Sequence, residues 1–293
     1  MSDPVYLITG STGTTGSVAV EQLRKDGKRV RAMIHKEDKR SAALRDLGAE
    51  TVVGNFLDLD EVKAAMEGIA GAYFCYPLRN GLIDATAFFA QAARECGVGS
   101  IVNMSQISAR REAKSHAARD HWISEQVFDW SGIPSTHIRP TYFAEWLTYN
   151  MPGWRVKDGA LRFPFANARH APIAGEDQGR VVAKLLQDPK PHAGKVYPLF
   201  GPVELDHHEI ATRLSKTLGK TFTYKPLTIP EFRAEMEAGG FSPRMVQHIC
   251  STAQDYQDGV FAGTNDVVEK ITGQPPLSVE QFAERNRAKF VTK

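Results

Sequence analysis

Along the first half of the chain, short apolar runs alternate with stretches whose apolar residues recur at helical spacing. Runs at Val5–Thr9, Arg29–Ile34, Glu50–Val53, Ala70–Cys75, Ser100–Met104 and Thr136–Ile138 predict six strands. Between them, Thr15–Lys25, Lys39–Leu47, Leu59–Glu67, Asp84–Cys96 and Ala117–Trp130 read as helices. Gly97 stops the fourth helix, and Ser131-Gly132 stops the fifth. Strand and helix in regular alternation predict the α/β class: a Rossmann-type doubly wound parallel sheet with crossover helices.

Past Arg139-Pro140 the regularity fades and prolines and glycines become frequent. Short strands are expected at Leu161–Phe165, Ala171–Ile173 and Lys195–Leu199. Helices are expected near Gln178–Gln187, His207–Leu218, Pro230–Ala238 and Ser278–Lys289. Residues 1–145 are therefore read as the doubly wound domain. Residues 146–293 are read as a smaller C-terminal substrate lobe, with some segments returning to the main sheet.

The strongest chemical signal lies at the first strand–helix junction. Gly10, Gly13 and Gly16 stand at GxxGxxG spacing, interleaved with Ser11, Thr12, Thr14 and Thr15. In this context the first glycine permits a tight turn, the second lets backbone approach a pyrophosphate, and the third lets the helix pack closely. The helix N-terminus then offers free N–H groups and a positive dipole end to an anion. The first domain is thus expected to bind NAD(P).

The tip of the second strand bears on which dinucleotide is held. An NAD site usually places an acid there for the ribose hydroxyl, whereas an NADP site presents cations to the 2′-phosphate. Here the tip carries His35 and Lys36, with Lys39 a short turn later. Glu37 and Asp38 partly cancel the field, but the balance favours NADP(H) over NAD(H).

Composition narrows the remaining classes. The 36 basic and 34 acidic side chains leave a net charge of +2, which argues against a dedicated nucleic-acid or membrane surface. Cys75, Cys96 and Cys250 are odd in number and form no CxxC pair, as expected of buried thiols in a reducing cytoplasm. Asp206-His207-His208-Glu209 invites a metal reading. Adjacent histidines on a helix diverge, however, and Asp206 and Glu209 have capping-box spacing, so no metal site is expected. Monomer and homodimer fit the sequence equally.

Several of these segments together resemble the NmrA-like family of atypical short-chain dehydrogenases. They are Ile8–Gly16, Val30–Ile34, Gly54-Asn-Phe-Leu-Asp58 and Ser131–Pro140. His121-Trp-Ile-Ser-Glu125 and Thr264-Asn-Asp-Val are similar to the family's small bacterial reductases of quinones and triphenylmethane dyes. The resemblance implies the fold, NADPH binding and a cleft between lobes. It assigns Asn55 and Phe56 to the cofactor's surroundings, Asn55 standing where Asp is common. His35 replaces the second-strand arginine of the reductases. Aligned on Glu125, His121 takes the lysine position of YxxxK and Ala117 the tyrosine position, so the usual proton donor is missing.

Hydride transfer needs no protein nucleophile, because the cofactor carries the chemistry and the protein supplies position and electrostatics. His121 is the residue expected to orient the nicotinamide ribose or donate a proton. Ser105, just past the fifth strand, stands where this fold places an active-site hydroxyl. Tyr76-Pro77 and Tyr142 follow strands four and six, at carboxyl ends where ligands bind in open α/β sheets. Phe143 and Trp146 suit a flat aromatic substrate. The expectation is an NAD(P)H-dependent reductase of quinone-like or conjugated acceptors. The alternative is a non-catalytic NADP(H) redox sensor.

Overall fold

The computed structural model describes residues 3–151, 154–156 and 159–290. Strands β1 (Val5–Ile8), β2 (Arg29–Ile34), β3 (Glu50–Val53), β4 (Ile69–Phe74), β5 (Ile101–Met104) and β6 (Ser135–Pro140) come first. They alternate with helices α1 (Thr14–Lys25), α2 (Lys39–Asp46), α3 (Leu59–Met66), α4 (Leu82–Glu95) and α5 (His116–Trp130). The short strands β7 (Asn150–Met151), β8 (Trp154–Arg155) and β9 (Ala160–Leu161) follow, then α6 (Gly175–Gln187), β10 (Val196–Leu199), α7 (His207–Leu218) and β11 (Thr223–Tyr224). The main sheet has the order β10-β6-β5-β4-β1-β2-β3, with β1 to β6 paired in parallel. This is the doubly wound α/β architecture the alternation predicts.

Contacts divide the chain into two units. The first comprises Met1–Arg111, Asp120–Arg139 and Gly175–Tyr197; the second comprises Glu112–Arg119, Pro140–Ala174 and Pro198–Lys293. The expected Gln178–Gln187 helix is thus part of α6 in the first unit, although it follows residue 145. There α6 packs on α1 so closely that a Cβ at Gly179 would lie 2.6 Å from Val18 Cβ and 2.7 Å from the Thr15 carbonyl. Only glycine fits such an approach without moving a helix.

The first unit's core lies between the sheet and α3 and α4. Leu7, Phe74, Phe89 and Phe128 are fully buried there. Phe74 meets Phe89 at 4.8 Å and Phe128 at 5.2 Å between ring centroids, in tilted and edge-on arrangements. Phe56 continues this aromatic wall outward, its ring edge-on to Phe74 at 5.7 Å.

In the second unit the expected strands are shorter than the apolar runs that suggest them. Leu161–Phe165 pairs as a strand only through Ala160–Leu161, with β11 beside it, and Pro164 removes a ladder donor. Ala171–Ile173 is flanked by single bridges, His170 to Leu205 and Phe143 to Ile173, rather than forming a strand. The expected Ser278–Lys289 helix breaks at Asn286 into Val279–Arg285 and Arg287–Phe290. Besides α8 (Ile229–Ala238), a helix absent from the sequence reading, α9 (Pro243–Gln257), begins at Ser242, whose hydroxyl accepts the Met245 amide.

Candidate dinucleotide site

In the sheet order, β1 lies between β4 and β2, the point from which successive crossovers run in opposite directions. Their carboxyl ends therefore leave a crevice. Thr9 fixes its floor. Its amide and its hydroxyl both donate to the Tyr73 carbonyl, at 3.1 and 2.8 Å, while Oγ1 accepts the Cys75 amide at 2.9 Å.

The glycine loop rises from this floor. Gly10 turns with φ +57°, and a Cβ there would crowd the Cys75 side chain at 3.1 Å. The Gly13 amide donates back to the Gly10 carbonyl at 2.9 Å, and Ser11 Oγ donates to the Met33 carbonyl at 3.1 Å, tying the loop to β2. A Cβ at Gly16 would lie 2.3 Å from the Gly10 carbonyl oxygen, so α1 and the loop can approach only with glycine there. Gly13 caps α1 without any side-chain hydrogen bond. The opening amides of a twelve-residue helix are thus left to a ligand, at the positive end of its dipole.

A cavity of ≈ 380 Å³ opens on this loop, a size within the usual range for small-molecule sites. Gly10, Ser11, Thr12 and Gly13 line it from the loop, Met33, Ile34, His35 and Arg40 from the β2–α2 side, and Gly54 and Phe56 from the turn after β3. Cys75, Pro77 and Arg79 close it from the segment after β4. Burial pushes the Cys75 thiol up, away from the reactive thiolate. Apolar walls with few polar groups, beside an uncapped helix start, fit a nicotinamide dinucleotide.

The expected site residues fall in several places. Gly10, Ser11, Thr12, Gly13, His35, Phe56 and Pro77 line the one cavity. Lys36 and Lys39 are exposed and outside its lining. Thr14 is exposed on the first turn of α1, and Thr15 is buried, its hydroxyl turned to Gln178 Oε1 at 3.4 Å. Asn55 shapes the turn after β3. Its amide donates to the Glu61 carboxylate at 2.7 Å and its side-chain oxygen accepts the Leu57 amide at 3.1 Å. Tyr76 is buried behind the lining, edge-on to Phe56 at 5.4 Å.

Ser105 directly follows β5, its amide donating to the Ile138 carbonyl at 2.8 Å. Its hydroxyl is buried and has no hydrogen-bond partner among the described residues. His121 is half-buried on α5, and Ala117, one turn earlier, is buried. In the second unit, Tyr142 is fully buried in an aromatic core with His170 at 4.7 Å and His207 at 5.5 Å. Phe143 and Trp146 stack at 6.0 Å, half-buried. Asp206 and Glu209 form the expected capping box: Oδ1 of Asp206 accepts the Glu209 amide, and Glu209 Oε2 accepts the Asp206 amide.

Cys75 and Arg79 line the cavity without having been singled out by sequence. Cys75 stood one place before Tyr76. Arg79 lay in a connecting segment with no periodic signal.

Comparison with known proteins decides the family, since the model of the NmrA-like family matches residues 3–282. The chain belongs to that family. The resemblance drawn from the glycine loop and Ser131–Pro140 is borne out. The NAD(P)H azoreductase of Xenophilus azovorans is 26% identical over 288 residues, 98% of this chain and 99% of that protein. Among solved structures, the NADPH-dependent quinone oxidoreductase QOR2 of Escherichia coli, complexed with NADPH, superposes with a TM-score of 0.84. It is 20% identical and covers 97% of this chain and 99% of its own. The Citrobacter triphenylmethane reductase complexed with NADP(H) gives a TM-score of 0.82 at 20% identity, covering 96% and 99%. The structural likenesses establish the fold of this NmrA-like chain. Among its described residues, no helix is long and apolar enough to cross a membrane.

Proposed function

We propose that this NmrA-like protein is an NADP(H)-dependent reductase that passes hydride to a quinone-like or other conjugated aromatic acceptor. The observation that carries the reading is the uncapped start of α1 beside a cavity that also presents His35, Arg40 and Arg79. The azoreductase likeness along the full chain supports it.

When bound, the cofactor supplies the hydride. The chain's residues do the rest. The Gly10–Gly16 loop holds the pyrophosphate, and the cations at the cavity hold the 2′-phosphate. Ala117 occupies the position of the short-chain dehydrogenase tyrosine, so no phenol donates a proton there. Ser105 and His121 are assigned to hydrogen bonding and proton supply. A conjugated acceptor suits this sparse arrangement, because its charge develops on an oxygen remote from the carbon receiving hydride, where one donor or water suffices. We place this work in a reducing cytoplasm, where the three free thiols are stable.

The test is NADPH oxidation, followed by its absorbance, with a panel of quinones and azo dyes. Turnover of at least one acceptor, with NADPH preferred to NADH, is expected. Tight binding of both redox forms with no turnover on any acceptor would sink the enzyme reading and leave a redox sensor.

A further inference from the structure

The basic residues at the end of β2 offer less free charge than their number suggests. Arg40 reaches the cavity, but its Nε and Nη2 both donate to Asp38 Oδ2, at 3.0 and 2.6 Å. That hydrogen bonding holds the Asp38 carboxyl well below the usual carboxylate range, so it stays a full counter-charge. Arg45 donates to Glu37 at 2.6 Å and to Thr51 at 3.0 Å. Lys36 and Lys39 do not line the cavity.

A cation of different standing enters the same cavity from the segment after β4. Arg79 has no acidic partner among the described residues. Its Nε donates to the Tyr76 hydroxyl at 3.3 Å, and its guanidinium carbon lies 5.3 Å from the centre of the Tyr76 ring. The Tyr76 hydroxyl in turn donates to the Asn80 carbonyl at 2.9 Å, so the segment is held to one buried ring. Gly81 completes the turn at φ +98°, where a Cβ would meet that hydroxyl at 2.8 Å. One side of the guanidinium fork is thereby fixed, and both Nη groups remain without a protein acceptor among the described residues.

We propose that Arg79, positioned by Tyr76, is the specificity-determining cation for the adenosine 2′-phosphate. This assignment rests on the NADP(H) reading of the cavity. A planar fork whose two Nη groups are both open matches a phosphate in a way a solvated lysine does not. Tyr76 is a positioning residue, since it acts through Arg79.

The experiment compares calorimetric binding of adenosine 2′,5′-bisphosphate with that of 5′-AMP, so that neither nicotinamide nor turnover enters the readout. Arg79→Met is expected to weaken the bisphosphate by about 10- to 100-fold, the worth of a charged hydrogen bond, and to leave 5′-AMP within about twofold. Arg79→Lys should recover part of the loss, because the charge returns without the fork. Tyr76→Phe should weaken the bisphosphate selectively, though less than Arg79→Met. Equal loss of both nucleotides in Arg79→Met would overturn the assignment, making the side chain an adenine platform, as would no loss of either. A wild-type protein that binds neither nucleotide would overturn the dinucleotide reading itself, and the assignment with it. Arg79 is exposed, and circular dichroism checks that each variant is folded.

Discussion

Glu125 on α5 and Arg139 on β6 form a two-pronged ion pair, Nε to Oε1 at 2.8 Å and Nη2 to Oε2 at 2.5 Å, with the glutamate side chain only 2% exposed. Both belong to segments on which the family resemblance rests, so part of that signature is structural. Removing one partner of a buried pair leaves the other charge poorly solvated. Glu125→Gln should therefore lower the unfolding free energy by about 3 kcal/mol, the low end of such losses because Arg139 keeps some contact with water. Urea titration measures it. A loss under about 0.5 kcal/mol would class the pair with ordinary surface bridges.

Gly16→Ala tests the glycine loop directly. Its Cβ would sit 2.3 Å from the Gly10 carbonyl oxygen, a contact that backbone must move to relieve. Overpacking of this kind costs about 1–3 kcal/mol, and here the displacement falls on the phosphate loop. NADPH affinity should drop by about tenfold or more, the equivalent of 1.4 kcal/mol, with the protein still folded. Fluorescence titration of NADPH reads the change, and unchanged affinity would mean that the loop does not carry the pyrophosphate.

What the sequence could disclose follows from which interactions are local. The glycine loop and the capping boxes are short-range patterns, and they read correctly as far as Asp206 and Glu209. The α9 helix was missed although it carries a signal: Val246, Ile249, Ala253 and Tyr256 mark a buried face at helical spacing, behind a Ser242-Pro243 start. Polar residues between them obscured it. Arg79 was not legible, because its value comes from Tyr76, from Gly81 and from the folding of the β4 segment beside the β1 loop. Nor was the neutralisation of Arg40, which depends on where its guanidinium turns relative to Asp38.

Acid should weaken the second unit. His170 is fully buried against Tyr142 and His207, at 4.7 and 4.8 Å, and burial lowers its pKa to about 3 despite Asp206 nearby. Burial also holds His207 well below its ordinary value. The folded state therefore binds fewer protons than the unfolded chain, in which histidine titrates near about 6.5. Stability is complete above that value and falls as the pH descends toward 3, by roughly 1.4 kcal/mol per pH unit for each histidine. His170→Phe should about halve the slope of urea-derived stability between about pH 6.5 and 5, above the range in which the carboxylates titrate. An unaltered slope would show that His170 does not titrate as the buried group described.

Ser105→Ala separates chemistry from packing. The hydroxyl is buried without a partner among the described residues, so its removal relieves a desolvated group and should raise stability slightly, by up to about 1 kcal/mol. If the hydroxyl serves the acceptor, turnover should fall by about tenfold or more in the same variant. His121→Ala should lower kcat by about 100-fold, the usual worth of a positioned proton donor, with little change in KM for NADPH. A Ser105→Ala protein that turns over normally but melts earlier would return Ser105 to a structural role.

Asp38→Asn should tighten the hold on a 2′-phosphate. Asp38 does two things: its Oδ1 accepts the Arg40 and Ser41 amides at the start of α2, and its Oδ2 holds the Arg40 guanidinium. Asparagine is about as good a helix cap as aspartate, so the first function survives. The charge does not, which releases Arg40 toward the cavity it lines and removes a carboxylate that would repel the phosphate. Affinity for NADPH should rise by about three- to tenfold at low salt, with NADH nearly unchanged and the gain shrinking as ionic strength increases. If NADH gains as much as NADPH, Asp38 influences the whole nucleotide and not its 2′-phosphate.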